Sequence, residues 1–399
     1  MRRLPAMAFV VSAISTLLSP AAAAEGLEPY QMLRSLQLVQ DRIADGDHAA
    51  LPIQSKLLAI VDQRLRNMPA EGFQDRRNLD ALFVYGASGG NPETLDLVFS
   101  RLELDEDDRR LSEGLIRYAR GDLAAARELL AGVEPSAVDP KVAAPLALVI
   151  GSLLVQQNPT QALKLFDQAR LFSPGTLIEE AALRRSVAVS AELQDKERFS
   201  RASIQYVNRF LRSPYASQFA EAFVSGVIAL NGRIELGVVE EVAAGMKPDQ
   251  AHVIYLRIAR QSAIEGYDRL LAFASENAER YAAASDEEDP RALLYANIAS
   301  VASGNVDGVL KTLDGIDERR LSANDRKLLE AAKKVARSIL APPLDASPKD
   351  AAPLHQASFS NGRAPNAEPT DDSMAGEGFV AETRRKLEII DALLERKRP

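Results

Sequence analysis

Between Leu27 and about Leu340, apolar side chains recur with a period near 3.6 residues, interrupted by short polar breaks. Ile53, Leu57, Leu58, Ile60, Val61 and Leu65 share one stripe, as do Leu328, Leu329, Ala332, Val335 and Ile339. Such a stripe predicts an amphipathic helix whose apolar face is covered by a neighbour. Start signals agree with the periodicity. Asn91-Pro92 and Asn158-Pro159 each set a capping side chain before a proline suited to the first helical position, and Thr176 to Glu179 and Ser322 to Asp325 have capping-box spacing. Alternation of period two is scarce, and its best stretch, Ala81 to Tyr85, reads equally well as a helix end. The pattern predicts about seventeen helices joined by short loops and no sheet.

Several of these helices form repeating pairs. The text GLIRYARGDLAAARELL, from Gly114 through Gly121, Asp122 and Ala126 to Leu130, resembles the helix–turn–helix of a tetratricopeptide repeat. Ala162, Phe166, Ala169 and Pro174 are matched, forty positions later, by Ala202, Tyr206, Arg209 and Pro214, and a weaker copy follows at Gly304, Asn305, Val309 and Leu313. Small residues would let paired helices approach, the aromatic would fill the groove to the next pair, and proline would stop the second helix. The spacing exceeds that of the regular repeat, so the expected class is all-α, with degenerate tetratricopeptide- or Sel1-like hairpins stacked as an α-solenoid over residues 25–340. The alternative is a plain irregular helical bundle.

Both ends depart from this pattern. Arg2 and Arg3 precede an uncharged, mostly apolar run from Leu4 to Leu18, and Ser19-Pro20 leads to Ala21 through Ala24. Residues 1–24 therefore read as a signal peptide cut between Ala24 and Glu25, because a run of about 15 residues is short for a spanning helix. The mature chain is then expected to be exported to the periplasm without membrane insertion, and loss of Arg2 and Arg3 takes its net charge from −8 to −10. After Leu340, six prolines among small and polar residues mark 341–376 as a disordered linker. Residues 377–399 regain helical spacing, with Val380, Leu387, Ile390 and Leu394 on one stripe and Arg396-Lys397-Arg398 at the end. Two readings of that stripe stand: it docks on a partner, or it folds back on the chain's own helices.

Composition narrows the chemistry. The chain has 399 residues, no Cys, no Trp and few aromatics. Cysteine absence excludes disulfides, thiolate catalysis and iron–sulfur clusters, so an exported chain must rely on packing alone. Net charge of −8 argues against a nucleic-acid partner.

Candidate catalytic patterns fail on spacing. His48, His252 and His355 are far apart and belong to no metal-binding helix motif; satisfied or solvated imidazoles are expected, with no metal. No phosphate-cradling glycine loop occurs, so no cofactor is expected. Gly86-Ala87-Ser88-Gly89-Gly90 matches the form of a serine nucleophile elbow, but Asn91-Pro92 restarts a helix where the elbow needs strand, serine and helix in direct succession. A loop between helices is the expected reading, and a hydrolase built on Ser88 the alternative. Acidic runs at Asp105 to Asp108 and Asp286 to Asp289 precede expected helices, where carboxylates suit the dipole.

The segments LEPYQMLRSLQLVQDRIADGDHAALPIQSKLLAIVDQRL, Leu27 to Leu65, and NLDALFVYGASGGNPETL, Asn78 to Leu95, resemble the MotC family of periplasmic motility proteins from alphaproteobacterial flagellar systems. The resemblance extends over the helical body to about residue 340 and rests on the general look of these segments. It implies a periplasmic protein required for flagellar rotation and associated with the periplasmic part of the stator protein MotB; joined to the expected solenoid surface, it leads to the expectation of a non-enzymatic adaptor that influences stator stability or energy coupling. It supplies no catalytic or cofactor motif. A different function compatible with the residues alone is a general periplasmic scaffold or chaperone-like binder for envelope machinery.

Overall fold

The computed structural model describes residues 27–282, 289–300 and 306–340, with the side chains of residues 299 and 300 excepted. The sequence-expected signal cleavage at Ala24 and Glu25, the proline-rich linker, and the terminal stripe of Val380, Leu387, Ile390 and Leu394 lie outside the described residues.

All regular structure among the described residues is helical. The first hairpin pairs α1 (Pro29–Ala44) with α2 (Ala50–Asn67), and α3 (Arg76–Ala87) and α4 (Pro92–Phe99) follow a short 3-10 turn at Ala70–Gln74. Next come α5 (Glu106–Ala119) with α6 (Leu123–Leu130), α7 (Pro140–Leu154) with α8 (Pro159–Phe172), and α9 (Leu177–Glu192) with α10 (Lys196–Phe210). The second half holds α11 (Ala216–Ala229), α12 (Leu236–Ala244), α13 (Pro248–Glu265) and α14 (Asp268–Ala282). It ends with α15 (Pro290–Ser300), α16 (Val306–Asp314) and α17 (Ala323–Leu340). Alternate helices stack side by side: α3 on α7, then α7, α9, α11, α13, α15 and α17 in order.

Local signals act as the sequence suggests. Asn91 Oδ1 accepts the Glu93 amide and Asn158 Oδ1 the Gln161 amide, starting α4 and α8 at their prolines. Ser322 accepts the Asp325 amide and its hydroxyl donates to the Asp325 carboxylate at 2.6 Å. The box at Thr176 is only half made. Thr176 accepts the Glu179 amide, whereas the Glu179 carboxylate reaches past it to the Gly175 amide at 2.6 Å and to Arg209 at 2.6 Å.

Close approach within hairpins comes from glycine set against a large side chain. A Cβ on Gly114 of α5 would lie 2.5 Å from Leu130 of α6, and one on Gly151 of α7 would lie 2.7 Å from Phe166 of α8. The two matched units sit on α8 and α10, the second helices of consecutive hairpins. Tyr206 stacks on Phe219 of the next helix at 4.1 Å between ring centroids, as a groove-filling aromatic should. Phe166 instead packs against Gly151 of its own hairpin, and Arg209, standing where Ala169 stands in the preceding unit, serves an ion pair rather than close packing.

Two stripes are less covered than their spacing implies. On α2, Val61 and Leu65 are buried while Ile53 and Ile60 are exposed, because α2 packs on α1 and α4 and no described residue lies across its outer face. On α17, Leu329 and Ala332 are buried while Val335 and Ile339 are exposed, since at the end of the described stack this helix packs mainly on α15 and α16, with an ion pair to α13, and these leave its outer face open among the described residues.

Candidate partner-binding face

Helix α1 does more than open the stack. It lies against α3 and α9, crossing the face on which α3, α7 and α9 stand in a row. Its start is fixed by Asn78, a buried α3 residue whose amide donates to Glu28 at 2.8 Å and to the Gly72 carbonyl at 3.0 Å. Beside it the Arg77 guanidinium lies 4.4 Å from the centre of the Tyr30 ring. At the far end His48 Nε2 donates to the Arg212 carbonyl at 3.1 Å, and Gly46, with φ +97°, presses so closely on Arg212 that a Cβ would come within 2.5 Å of it. Leu33 and Leu36 join one apolar core, while Ala44 joins the other.

Between these anchors the seat of α1 is incompletely filled and lined by both polar and apolar side chains. One cavity of about 520 Å³ opens between α1, α3 and α7, and a second of about 240 Å³ between α1, α7 and the start of α9. Gln37 and Lys141 line both. Asp41 faces the smaller cavity, where burial pushes its carboxyl above the ordinary range even though it accepts the Leu177 amide at the first turn of α9.

Three buried tyrosines hold carboxylates across helix boundaries. Tyr85 of α3 donates to Asp62 of α2 at 2.8 Å, with Arg66 at 3.0 Å and the Thr94 hydroxyl on the same carboxylate. Tyr206 of α10 donates to Glu180 of α9 at 2.8 Å, with Arg184 at 3.0 Å. Tyr295 of α15 donates to Asp325 of α17 at 2.8 Å, with Arg260 of α13 at 3.0 Å. Burial, reinforced by Asp62, pushes the Tyr85 phenol up to about 12, and burial also raises Tyr206 and Tyr295. Burial alone would raise Asp62 and Asp325 too, but their hydrogen bonds and arginines outweigh it and both sit below the ordinary carboxylate range. Such phenols stay protonated as donors at neutral pH, which makes these groups pins of the stack.

Sequence reasoning missed all three pins and the crossing of α1. A partial signal existed in the four-residue spacings of Asp62 to Arg66 and Glu180 to Arg184. Asp325 and Arg260 offered none, being 65 residues apart.

The expected chemical candidates are placed as follows. Ser88 caps the end of α3 with φ −95° and ψ 14°, in a turn where Gly89 takes φ +86° and the Tyr85 hydroxyl accepts the Asn91 amide at 2.9 Å. That is a helix-to-helix turn, not the strand-to-helix elbow a serine nucleophile requires. His252 Nδ1 donates to the Ala278 carbonyl at 2.9 Å and its Nε2 lies 3.4 Å from Asp289, a satisfied imidazole between helices. His355 lies outside the described residues. Among the described residues no group of three metal-ligating side chains is assembled, and no helix is long and apolar enough to cross a membrane.

The profile of the family described as chemotaxis protein MotC matches residues 1–399. The chain belongs to the MotC family. It is 37% identical over 402 aligned positions to the chemotaxis protein MotC of Rhizobium meliloti (strain 1021), with 93% of each chain covered. No solved structure matches the chain significantly. Family membership agrees with the resemblance carried by Leu27 to Leu65 and Asn78 to Leu95, the same segments that build the α1 hairpin, α3 and the start of α4.

Proposed function

We propose that this protein is a non-enzymatic periplasmic adaptor of the flagellar motor, which binds the periplasmic part of the stator protein MotB and thereby influences stator stability or energy coupling. The observation that carries the reading is the match of the whole chain to a family named for chemotaxis. Further support comes from the signal-like start of the sequence and from the fold. A stack of helical hairpins offers a long side surface suited to another protein rather than an enclosed pocket suited to a small substrate. Coupling would follow from differential affinity: an adaptor that binds one stator state better than another shifts the population toward it.

Deletion of the gene in a motile strain tests the role. Normal filaments with lost swimming are expected, and a deletion strain that swims normally overturns it. Affinity capture from a periplasmic extract tests the partner. Recovery of MotB is expected, whereas recovery of wall synthases or lipoprotein carriers without it would favour a general envelope scaffold.

A further inference from the structure

We infer that the cleft between α1, α3 and α7 is a binding site for an acidic, leucine-bearing peptide segment of another protein. The cleft combines an apolar floor with two cations, Arg34 and Lys141, that form no ion pair among the described residues. Leu33, Ala81 and Val84 line it, and Leu38 stands in its lining 58% exposed. Arg34 and Lys141 line it from opposite helices, and both are exposed.

Unpaired surface cations are common, so their surroundings decide the matter. Every other charge in this cleft is already engaged. Arg77 is paired with Asp75 at 2.7 Å, and Asp80 with Arg76 at 2.8 Å. Asp139 accepts the Lys141 amide at 2.9 Å and caps α7, where the positive end of the helix compensates its charge. The lining carries Arg34, Arg77 and Lys141 against Asp80 and Asp139, which leaves the cleft one formal positive charge on a chain whose net charge is −8. Carboxylates entering a partly enclosed site between two cations are screened less than at an open surface, and charge-assisted hydrogen bonds are the strong ones.

Size favours a segment over a small anion. The volume of about 520 Å³ admits several side chains. Lys141 and Gln37 continue into the second cavity toward α9, so an extended occupant can run alongside α1. The sole carboxylate lining that second cavity, Asp41, is engaged by the Leu177 amide. This inference goes beyond the proposed function, since it holds for whichever protein supplies the segment.

The test uses the full-length chain and a short fluorescein-labelled peptide of leucines and glutamates, compared with the same peptide carrying Gln for every Glu, by fluorescence anisotropy. The glutamate peptide should bind at least about tenfold more tightly, and its affinity should fall as salt is raised. The double substitution Arg34→Gln with Lys141→Gln should remove that preference. The control Lys327→Gln with Lys334→Gln, exposed cations on α17, should keep it. Equal binding of the two peptides, no binding, or the same loss in the control overturns the site. If the cleft variant melts earlier than the parent, Lys141→Arg decides: retained preference supports the site and loss overturns it. Failure here leaves capture of MotB from periplasm unaffected, so the two conclusions fail separately.

Discussion

Tyr206 Oη donates to Glu180 Oε1 across 2.8 Å, and both side chains are fully closed off from solvent. Tyr206→Phe keeps the ring stacked on Phe219 but leaves a buried carboxylate with one hydrogen-bonding partner fewer. An under-satisfied buried charge costs about 1–3 kcal/mol. Thermal melting followed by circular dichroism should show a drop of a few degrees with unchanged helical signal at low temperature. An unshifted midpoint would mean that the Arg184 pair alone satisfies Glu180.

Asp325 joins three helices through Arg260, Tyr295 and Ser322, and its carboxyl lies below its ordinary value of 3.8. A depressed acid contributes stability above its unfolded value, and that contribution is lost as pH falls through the folded value. Asp325→Asn should therefore destabilise by about 2 kcal/mol at pH 7, with the difference from the parent shrinking below pH 3.8. Urea titrations at both pH values measure this.

Asp41 predicts the opposite sign. Burial raises its carboxyl above 3.8, so the charged form is disfavoured in the folded state and the penalty is relieved as pH falls through the raised value. Asn retains an oxygen to accept the Leu177 amide while removing the charge. Asp41→Asn should raise the melting midpoint at pH 7 and give no gain once pH is below 3.8. A lower midpoint at pH 7 would show that the charge on the first turn of α9 outweighs its burial.

Gly226 on α11 faces the Phe199 ring so closely that an added Cβ would lie 2.2 Å from it. Phe199 is buried and stacked on Phe223 at 5.7 Å, so it has little room to retreat. Gly226→Ala should cost about 1–3 kcal/mol through overpacking. Gly237→Ala on α12, where a Cβ meets nothing within 4 Å, should not destabilise. Paired melting curves separate a general helix-propensity gain from the packing loss.

Ser88 ends a helix, and no hydrogen bond of its side chain supports the fold among the described residues. Ser88→Ala should leave swimming speed unchanged and shift stability by less than about 0.5 kcal/mol. Lost motility with retained folding would revive a hydrolase.

The sequence by itself determined the class of the fold, because helix formation is announced locally. A 3.6-residue period, Asn-Pro starts and glycine turns suffice for that, and Asn91, Asn158 and Ser322 cap where their spacing says. Family membership was legible too, in Leu27 to Leu65 and Asn78 to Leu95. Tertiary structure alone decided what each stripe meets. Periodicity states that one face is apolar and does not say whether a neighbour reaches it, so Ile53 and Ile60 stand exposed while Leu33 and Leu36 are covered. It also decided the crossing of α1 from Asn78 to Arg212 and the Asp325 pin, which join residues tens to more than a hundred positions apart. Partners that distant are brought together only by how the hairpins stack, and no local pattern records it.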